Sequence, residues 1–221
     1  MIYLFDDIES ITDHHLNNAY AYLSKERINR ITQYQFSLDK KLSAMAELLL
    51  QYTLEREYGI LGKLEIMRTS AGKPFLKDEK GLFFNLSHCK EGVACAVSSQ
   101  PIGVDIQQLV ECDHDVLKMV CSDEELKEFE DHHDDLPSKF TRLWTIKEAY
   151  IKCIGEGLTE NISKYNFAKC CEQQFMKYGL SFKTFTFKNY FLTACGEFHD
   201  IKVQKVSLDQ FEKKFKQFSK S

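Results

Sequence analysis

The sequence predicts an α+β chain, and three observations carry that prediction. Residues 13–58 and 138–154 have the apolar spacing of helices. Three short runs at 82–88, 92–98 and 102–108 read as successive strands, and a second strand-rich stretch follows the second helical block. YFLTACGE at 190–197 echoes EGVACAVS at 91–98 in its small residues and its cysteine, which suggests two related halves meeting near residues 100–105. Two β-strands of similar composition also resemble one another by chance, so the echo alone leaves both readings open. The expected division is 1–101 and 102–221.

In chain order, the first helical block ends in a helix that puts Leu42, Met45, Leu48, Leu49 and Tyr52 on one face, with Ser37 or Asp39 as its cap. KLEIMR at 63–68 alternates like a strand. SAGKPFL at 70–76 reads as a loop, because Gly72 and Pro74 both resist helix. LFFNLSH, GVACAVS and IGVDIQQ follow as strands, separated by turns at Lys90-Glu91-Gly92 and Ser99-Gln100-Pro101. Residues 111–135 hold 11 Asp and Glu against 2 Lys. Within them Ser122 and Glu125 form a capping box for a helix over 123–131. The helix over 138–154 is the strongest in the chain, and Gly155 and Gly157 end it. In the tail, FEKKFKQF spaces Phe211, Phe215 and Phe218 as a helix would, and that helix is expected to pack on its own domain rather than to form a partner surface.

Composition narrows the function classes. The 221 residues suit one large domain or two smaller ones, with 43% hydrophobic and 28% charged residues. Net charge is -4, which gives no general pull toward nucleic acid or anionic membrane. Three prolines and the lack of a Gly/Ser-rich linker argue against two loosely tethered modules. The start, MIYLFDDIES, turns acidic after five residues and lacks the pattern of a secretory signal. No apolar run approaches the roughly 20 residues of a membrane span. The 8 cysteines have no CxxC spacing, so they are read as reduced thiols in a cytoplasmic protein, with neither a zinc site nor a disulfide framework.

Several polar residues stand out against apolar surroundings. Asp105 interrupts the strand GVDI; it is either a carboxylate on the solvent face of an edge strand, the reading favoured for it alone, or a buried group that needs a partner or a metal. Glu148 and Lys152 share a helix face at i,i+4. Trp144, Ile146, Ala149, Tyr150, Ile151 and Ile154 surround them, so a surface ion pair and a functional pair stand level. Ser87-His88 closes a strand with a hydroxyl and an imidazole, suited to phosphate or to turn chemistry. Neighbours on a strand point to opposite faces, which speaks against a catalytic Ser–His couple. Lys73 lies between Gly72 and Pro74, either a solvated loop lysine or one that approaches an anion. His114-Asp115 and His132-His133-Asp134-Asp135 lack a spaced partner set for a metal and are read as a solvated acidic face.

GKPFL, FFNLSH, IGVDI and WTIKEAYIKCIGEGL, in this order, resemble the Sfp-like (surfactin-synthetase-type) 4′-phosphopantetheinyl transferases from about residue 20 to 200. The resemblance implies two α+β halves related by a pseudo-twofold, with the active site in the cleft between them. It implies Mg²⁺-dependent transfer of the 4′-phosphopantetheine arm of coenzyme A to a serine of an apo acyl or peptidyl carrier protein, releasing 3′,5′-adenosine bisphosphate. It implies Asp105, from a strand of one half, and Glu148, from a helix of the other, as metal carboxylates. Glu148 also takes the serine proton, directly or through water, and Lys152 steadies the α-phosphate and the leaving group. Lys73, Ser87 and His88 match phosphate-contacting positions, and Arg27 and Arg30 match positions that hold the 3′-phosphate. There are two departures. Gln107 stands where many relatives have a third acid, which implies a metal bound through an amide oxygen or a water and a weaker or altered ion preference. Leu42 stands where many have an arginine, with Lys40 and Lys41 beside it. A monomer suffices for two internal halves. A Mg²⁺-dependent hydrolase of CoA-like pyrophosphates and a catalytically weakened binder of carriers or CoA are the alternatives.

Overall fold

The helix over residues 37–58 is buried without interruption from Leu42 to Leu54, so it lies within the molecule rather than upon it. That fact sets the layering. The computed structural model describes residues 1–131, 135–157 and 162–216. In chain order the elements are β1 (Ile2–Phe5), α1 (Asp13–Ala19), α2 (Lys25–Thr32), α3 (Ser37–Tyr58), β2 (Ile66–Arg68), β3 (Pro74–Leu76), β4 (Phe83–Cys89), β5 (Gly92–Ser98) and β6 (Ile102–Gln108). There follow α4 (His114–Val120), α5 (Asp123–Asp131), α6 (Leu136–Ile154), β7 (Gln174–Lys177), β8 (Leu180–Thr186), β9 (Tyr190–Gly196), β10 (Val203–Lys205) and α7 (Leu208–Lys214).

Two four-stranded sheets form, in the orders β10-β1-β5-β4 and β6-β9-β8-β7, with β2 and β3 as a separate ribbon. All ladders are antiparallel except β1 with β10. Three cores stack in sequence. The first joins α3 to one face of the first sheet through Leu49, Phe5, Phe84 and Cys95. The second lies between the sheets and joins Ile2, Leu4, Ala94 and Ala96 to Val104, Ile106, Leu192 and Ala194. The third joins the far face of the second sheet to α6 through Ile146, Ala149, Phe182 and Cys195. Each half therefore repeats one plan, a long helix on a four-stranded sheet, with the sheets back to back.

The echoed octapeptides fall on β5 and β9, interior strands of the two sheets. Ala94 and Ala96, like Ala194, face the narrow core between the sheets, while Cys95 and Cys195 face α3 and α6. The small residues answer the close approach of two sheets, and the cysteine fills the space under a helix.

Some expectations need correction. Neither Ser37 nor Asp39 caps α3: Phe36 holds the cap position in extended backbone, and no side chain bonds the first turn. Part of the expected loop at 70–76 is strand, because Pro74–Leu76 pairs with Ile66–Arg68 and only residues 69–73 turn. The capping box at Ser122 forms: Ser122 N donates to Glu125 Oε2 at 2.6 Å and Glu125 N to Ser122 Oγ at 3.3 Å. The C-terminal helix does not pack on the half that precedes it in sequence. β10 joins β1, and α7 buries Phe211 and Phe215 against Phe5, Tyr22 and Tyr52 of the first half. Phe218, His132, His133 and Asp134 lie outside the described residues. Among the described residues no helix is long and apolar enough to cross a membrane.

Candidate active site

The seam between β4 and β6 is where polar chemistry gathers. These are the facing edges of the two sheets, and no main-chain ladder joins them. Side chains of β4 bridge the gap instead. Val104 N donates to Asn85 Oδ1 at 2.8 Å, and Ile106 N donates to Ser87 Oγ at 3.3 Å. Two edge amides that would otherwise be buried without acceptors are thereby satisfied. The strand alternation explains the split roles of neighbours: Asn85 and Ser87 face the seam, whereas Phe84, Leu86 and His88 face a cavity under α2 and α3.

Asp105 sits on the side of β6 that faces α6. It is 4% exposed, so the solvent-face reading does not hold. β6 is an edge strand only in its hydrogen bonding; β4 and α6 cover it. The close approach of α6 rests on Gly103, where a Cβ would lie 2.0 Å from the carbonyl oxygen of Ala149 and 2.5 Å from Cys153 N. Only glycine leaves room for the helix backbone there. The result carries Glu148 and Lys152 to Asp105. Lys152 Nζ donates to Asp105 Oδ1 at 2.5 Å and to Ser87 Oγ at 3.0 Å, and Ser87 Oγ donates to Asp105 Oδ1 at 2.7 Å. Lys152 pairs across elements with Asp105, not along its own helix with Glu148.

The resemblance implied one carboxylate from each half. Both belong to the second half, because β6 pairs with β9 and α6 packs upon them. The first half contributes Ser87. Asp105 Oδ2 and Glu148 Oε1 are buried with no hydrogen-bond partner among the described residues. An unpaired buried carboxylate oxygen is costly, and two near one another are more so. Burial pushes the Glu148 carboxyl up to about 7, with Lys152 lowering it and Asp105 raising it. Two buried carboxylate oxygens without partners are hard donors that suit a divalent cation such as Mg²⁺, which needs only one or two carboxylates when phosphate oxygens and water complete its shell. Gln107 lies on the Asp105 side of β6, two residues on and half-buried. Among the described residues no group of three His, Cys, Asp or Glu side chains is placed to hold a metal.

The cavity on the other side of β4 is lined by Arg27, Arg30 and Arg68, by His88, and by Ile66, Pro74, Phe84 and Leu86. Partial desolvation holds His88 below the ordinary imidazole value, helped by the positive charges of Lys152, Arg27 and Arg30 and opposed by Asp39. His88 lines this cavity together with three arginines, so cationic donors converge there. Arg27 is held from beneath by Glu47, a fully buried carboxylate of α3. Arg30 Nε donates to Tyr34 OH at 3.0 Å. Arg27, Arg30 and His88 therefore line a cavity on one face of β4, while Ser87, Lys152 and Asp105 are joined by hydrogen bonds at the seam on its other side. Lys73 is turned elsewhere: its Nζ donates to the carbonyl of Cys153 at 2.9 Å, near the end of α6, and burial lowers its pKa. It ties the GKP loop to the second half instead of lining the arginine cavity. Leu42 is buried in the core, with Lys40 and Lys41 half-buried beside it. Sequence reasoning did not single out Gly103, Asn85, Glu47 or Arg68. A lone glycine before a strand carboxylate was the one available signal for the first.

The model described as the 4′-phosphopantetheinyl transferase superfamily matches residues 101–211, and one described as the N-terminal part of a 4′-phosphopantetheinyl transferase matches residues 10–100. The 4′-phosphopantetheinyl transferase gsp of Aneurinibacillus migulanus is 32% identical over 165 residues, which are 73% of this chain and 69% of that protein. The chain belongs to the 4′-phosphopantetheinyl transferase superfamily. More distant relatives agree. The 4′-phosphopantetheinyl transferase Sfp of Bacillus subtilis is 28% identical over 66% of each chain. The human L-aminoadipate-semialdehyde dehydrogenase-phosphopantetheinyl transferase is 27% identical over 66% of this chain and 52% of its own length. Both superfamily matches meet at residues 100 and 101, where Pro101 leads from the first sheet into β6. The seam described above therefore lies at the junction of the two matched regions of a transferase.

Proposed function

We propose that this phosphopantetheinyl transferase moves the 4′-phosphopantetheine arm of coenzyme A to a serine of an apo acyl or peptidyl carrier protein. The serine oxygen forms a bond to the phosphorus that bears the pantetheine arm. The bridging bond of the pyrophosphate breaks, and 3′,5′-adenosine bisphosphate leaves with the electron pair. The observation that supports this reading is the pair of buried, unpartnered carboxylate oxygens, Asp105 Oδ2 and Glu148 Oε1, beside the ammonium of Lys152.

Asp105 and Glu148 would hold Mg²⁺, with Gln107 as a neutral third donor. When bound, the cation neutralises charge that develops on the phosphate oxygens. The chain's own groups do the remainder. Lys152 spends two of its three donors on Asp105 and Ser87 and keeps one for the α-phosphate and the leaving group. Glu148, poised by burial near neutral pH, accepts the serine proton directly or through a water. Ser87 and His88 place a hydroxyl and an imidazole beside the phosphates. Arg27 and Arg30 hold the 3′-phosphate, where a planar guanidinium makes two parallel bonds. Lys73 reaches the nucleotide if it exchanges the Cys153 carbonyl for phosphate. The two halves, 1–101 and 102–221, act as one monomeric, cytoplasmic enzyme with the cation and the diphosphate at their junction.

The test is incubation with an apo carrier protein, coenzyme A and Mg²⁺. The carrier should gain the mass of one phosphopantetheine, and chelation of the metal should stop the gain. Release of adenosine bisphosphate from coenzyme A alone, without carrier, would instead identify a hydrolase. Binding of CoA or carrier with neither product would identify a binder.

A further inference from the structure

We infer that Glu47 is a positioning residue for the nucleotide: a carboxylate sunk in α3 that presets Arg27 and the α2 N-terminus for the 3′-phosphate. The inference rests on the proposed role of Arg27 in gripping that phosphate.

Glu47 is 0% exposed and sits midway along a helix of apolar neighbours. A buried carboxylate costs several kcal/mol unless it is paired and hydrogen-bonded. Among the described residues its hydrogen bonds go to one short stretch of chain. Ser24 N donates to Oε1 at 2.6 Å, Ser24 Oγ donates to Oε2 at 2.9 Å, and Arg27 Nε donates to Oε2 at 3.2 Å. Ser24 is also the N-cap of α2, where its Oγ accepts from Arg27 N. One carboxylate thus fixes the first turn of the helix that carries both Arg27 and Arg30, and the head of Arg27 besides. Ser43 adds a further hold by accepting from an Nη of Arg27 at 3.2 Å. With Nε and one Nη engaged from below, the guanidinium keeps its remaining donors for the cavity that Arg30, Arg68 and His88 also line. A long side chain that would lose rotamer freedom on binding has lost it already.

The sign of the effect separates this role from simple electrostatics. Removing a negative charge beside a phosphate site should strengthen anion binding by Coulomb's law. Removing a positioning residue should weaken it. Glu47→Gln keeps the size of the side chain but turns one end into a donor that faces donors.

The experiment compares coenzyme A with 3′-dephospho-coenzyme A as arm donors to one apo carrier. The quantity read is KM for 3′-dephospho-coenzyme A divided by KM for coenzyme A, in the parent, Glu47→Gln, Arg27→Ala and the double variant. The expected result is a fall in the ratio of about tenfold in Glu47→Gln, with kcat for either donor within about threefold of the parent, and no further fall when Arg27→Ala is added. A ratio unchanged or raised in Glu47→Gln, while Arg27→Ala lowers it, would overturn the positioning role and leave the phosphate grip standing. A ratio that Arg27→Ala does not move would overturn the grip itself and the inference with it. Should Glu47→Gln fail to fold, Ser43→Ala carries the same question. A partial fall in the ratio supports a preset guanidinium, and parental discrimination refutes it.

Discussion

Gly103→Ala is the substitution whose consequence follows most directly from the structure. The added methyl carbon would stand 2.0 Å from Ala149 O and 2.5 Å from Cys153 N, both main-chain atoms of α6. Ordinary carbon–oxygen contact begins near ~3.3 Å, so the helix has to lift from β6 by roughly 1 Å. Neither side yields easily, because Ala149, Ile146, Val104 and Ile106 are all buried. Overpacking of this kind costs about 1–3 kcal/mol, a fall in Tm of roughly 2–10 °C for a chain of this size. The larger effect is on chemistry. Lys152 and Glu148 ride on α6, and a misplacement of about 1 Å at a reacting centre costs on the order of 100-fold in rate. Transfer to an apo carrier at saturating coenzyme A and Mg²⁺, followed by mass spectrometry alongside a thermal melt, measures both. A folded Gly103→Ala protein with parental kcat and an unchanged melt would refute the claim that the close approach of α6 to β6 sets the site.

Other outcomes follow from the same structure. In the metal-free protein the carboxyl of Glu148, raised from 4.5 to about 7, is favoured in its neutral form by folding. Its contribution is therefore full below the unfolded value and is lost as pH rises toward 7, an upper limit of roughly 3 kcal/mol. Melts in chelator at pH 5 and 8 should show that slope in the parent and lose it in Glu148→Gln. Lys147 and Glu125 form a buried ion pair at 2.7 Å, and Glu125 also accepts from Ser122 N and Phe167 N. Lys147→Met should therefore destabilise by about 3–5 kcal/mol in denaturant titration, because it strands a buried charge. Phe211→Ala should cost about 3–5 kcal/mol in the same titration while leaving transfer per folded molecule unchanged, since Phe211 packs on Phe5 and Tyr52 far along the chain from the seam.

The sequence displayed its local patterns well. Period-two runs located β4, β5 and β6, and the capping box located α5, because those signals arise from near neighbours. The four motif blocks led to Asp105, Glu148, Lys152 and Ser87, which the structure brings to one seam. What stayed hidden was non-local. β10 pairs with β1 across nearly the whole chain, so the return of the C-terminus to the first half has no local signature. Pro74–Leu76 reads as loop because proline resists regular structure, yet it sits at the start of an edge strand, where no amide is needed. The i,i+4 spacing places Lys152 beside Glu148 but says nothing of a strand lying beneath, so the pairing of Lys152 with Asp105 has no local signature. Glu47 is one charge among several along α3, and only its burial separates it from a surface residue.

The central claim is that Asp105 Oδ2 and Glu148 Oε1 are left without partners because they hold a divalent cation against the diphosphate of coenzyme A. Titrating Mg²⁺ calorimetrically into the protein in the presence of coenzyme A tests it most directly. Saturable binding of one ion in the parent, lost in both Asp105→Asn and Glu148→Gln while the variants stay folded, is the expected result. Undiminished binding in either variant would contradict it.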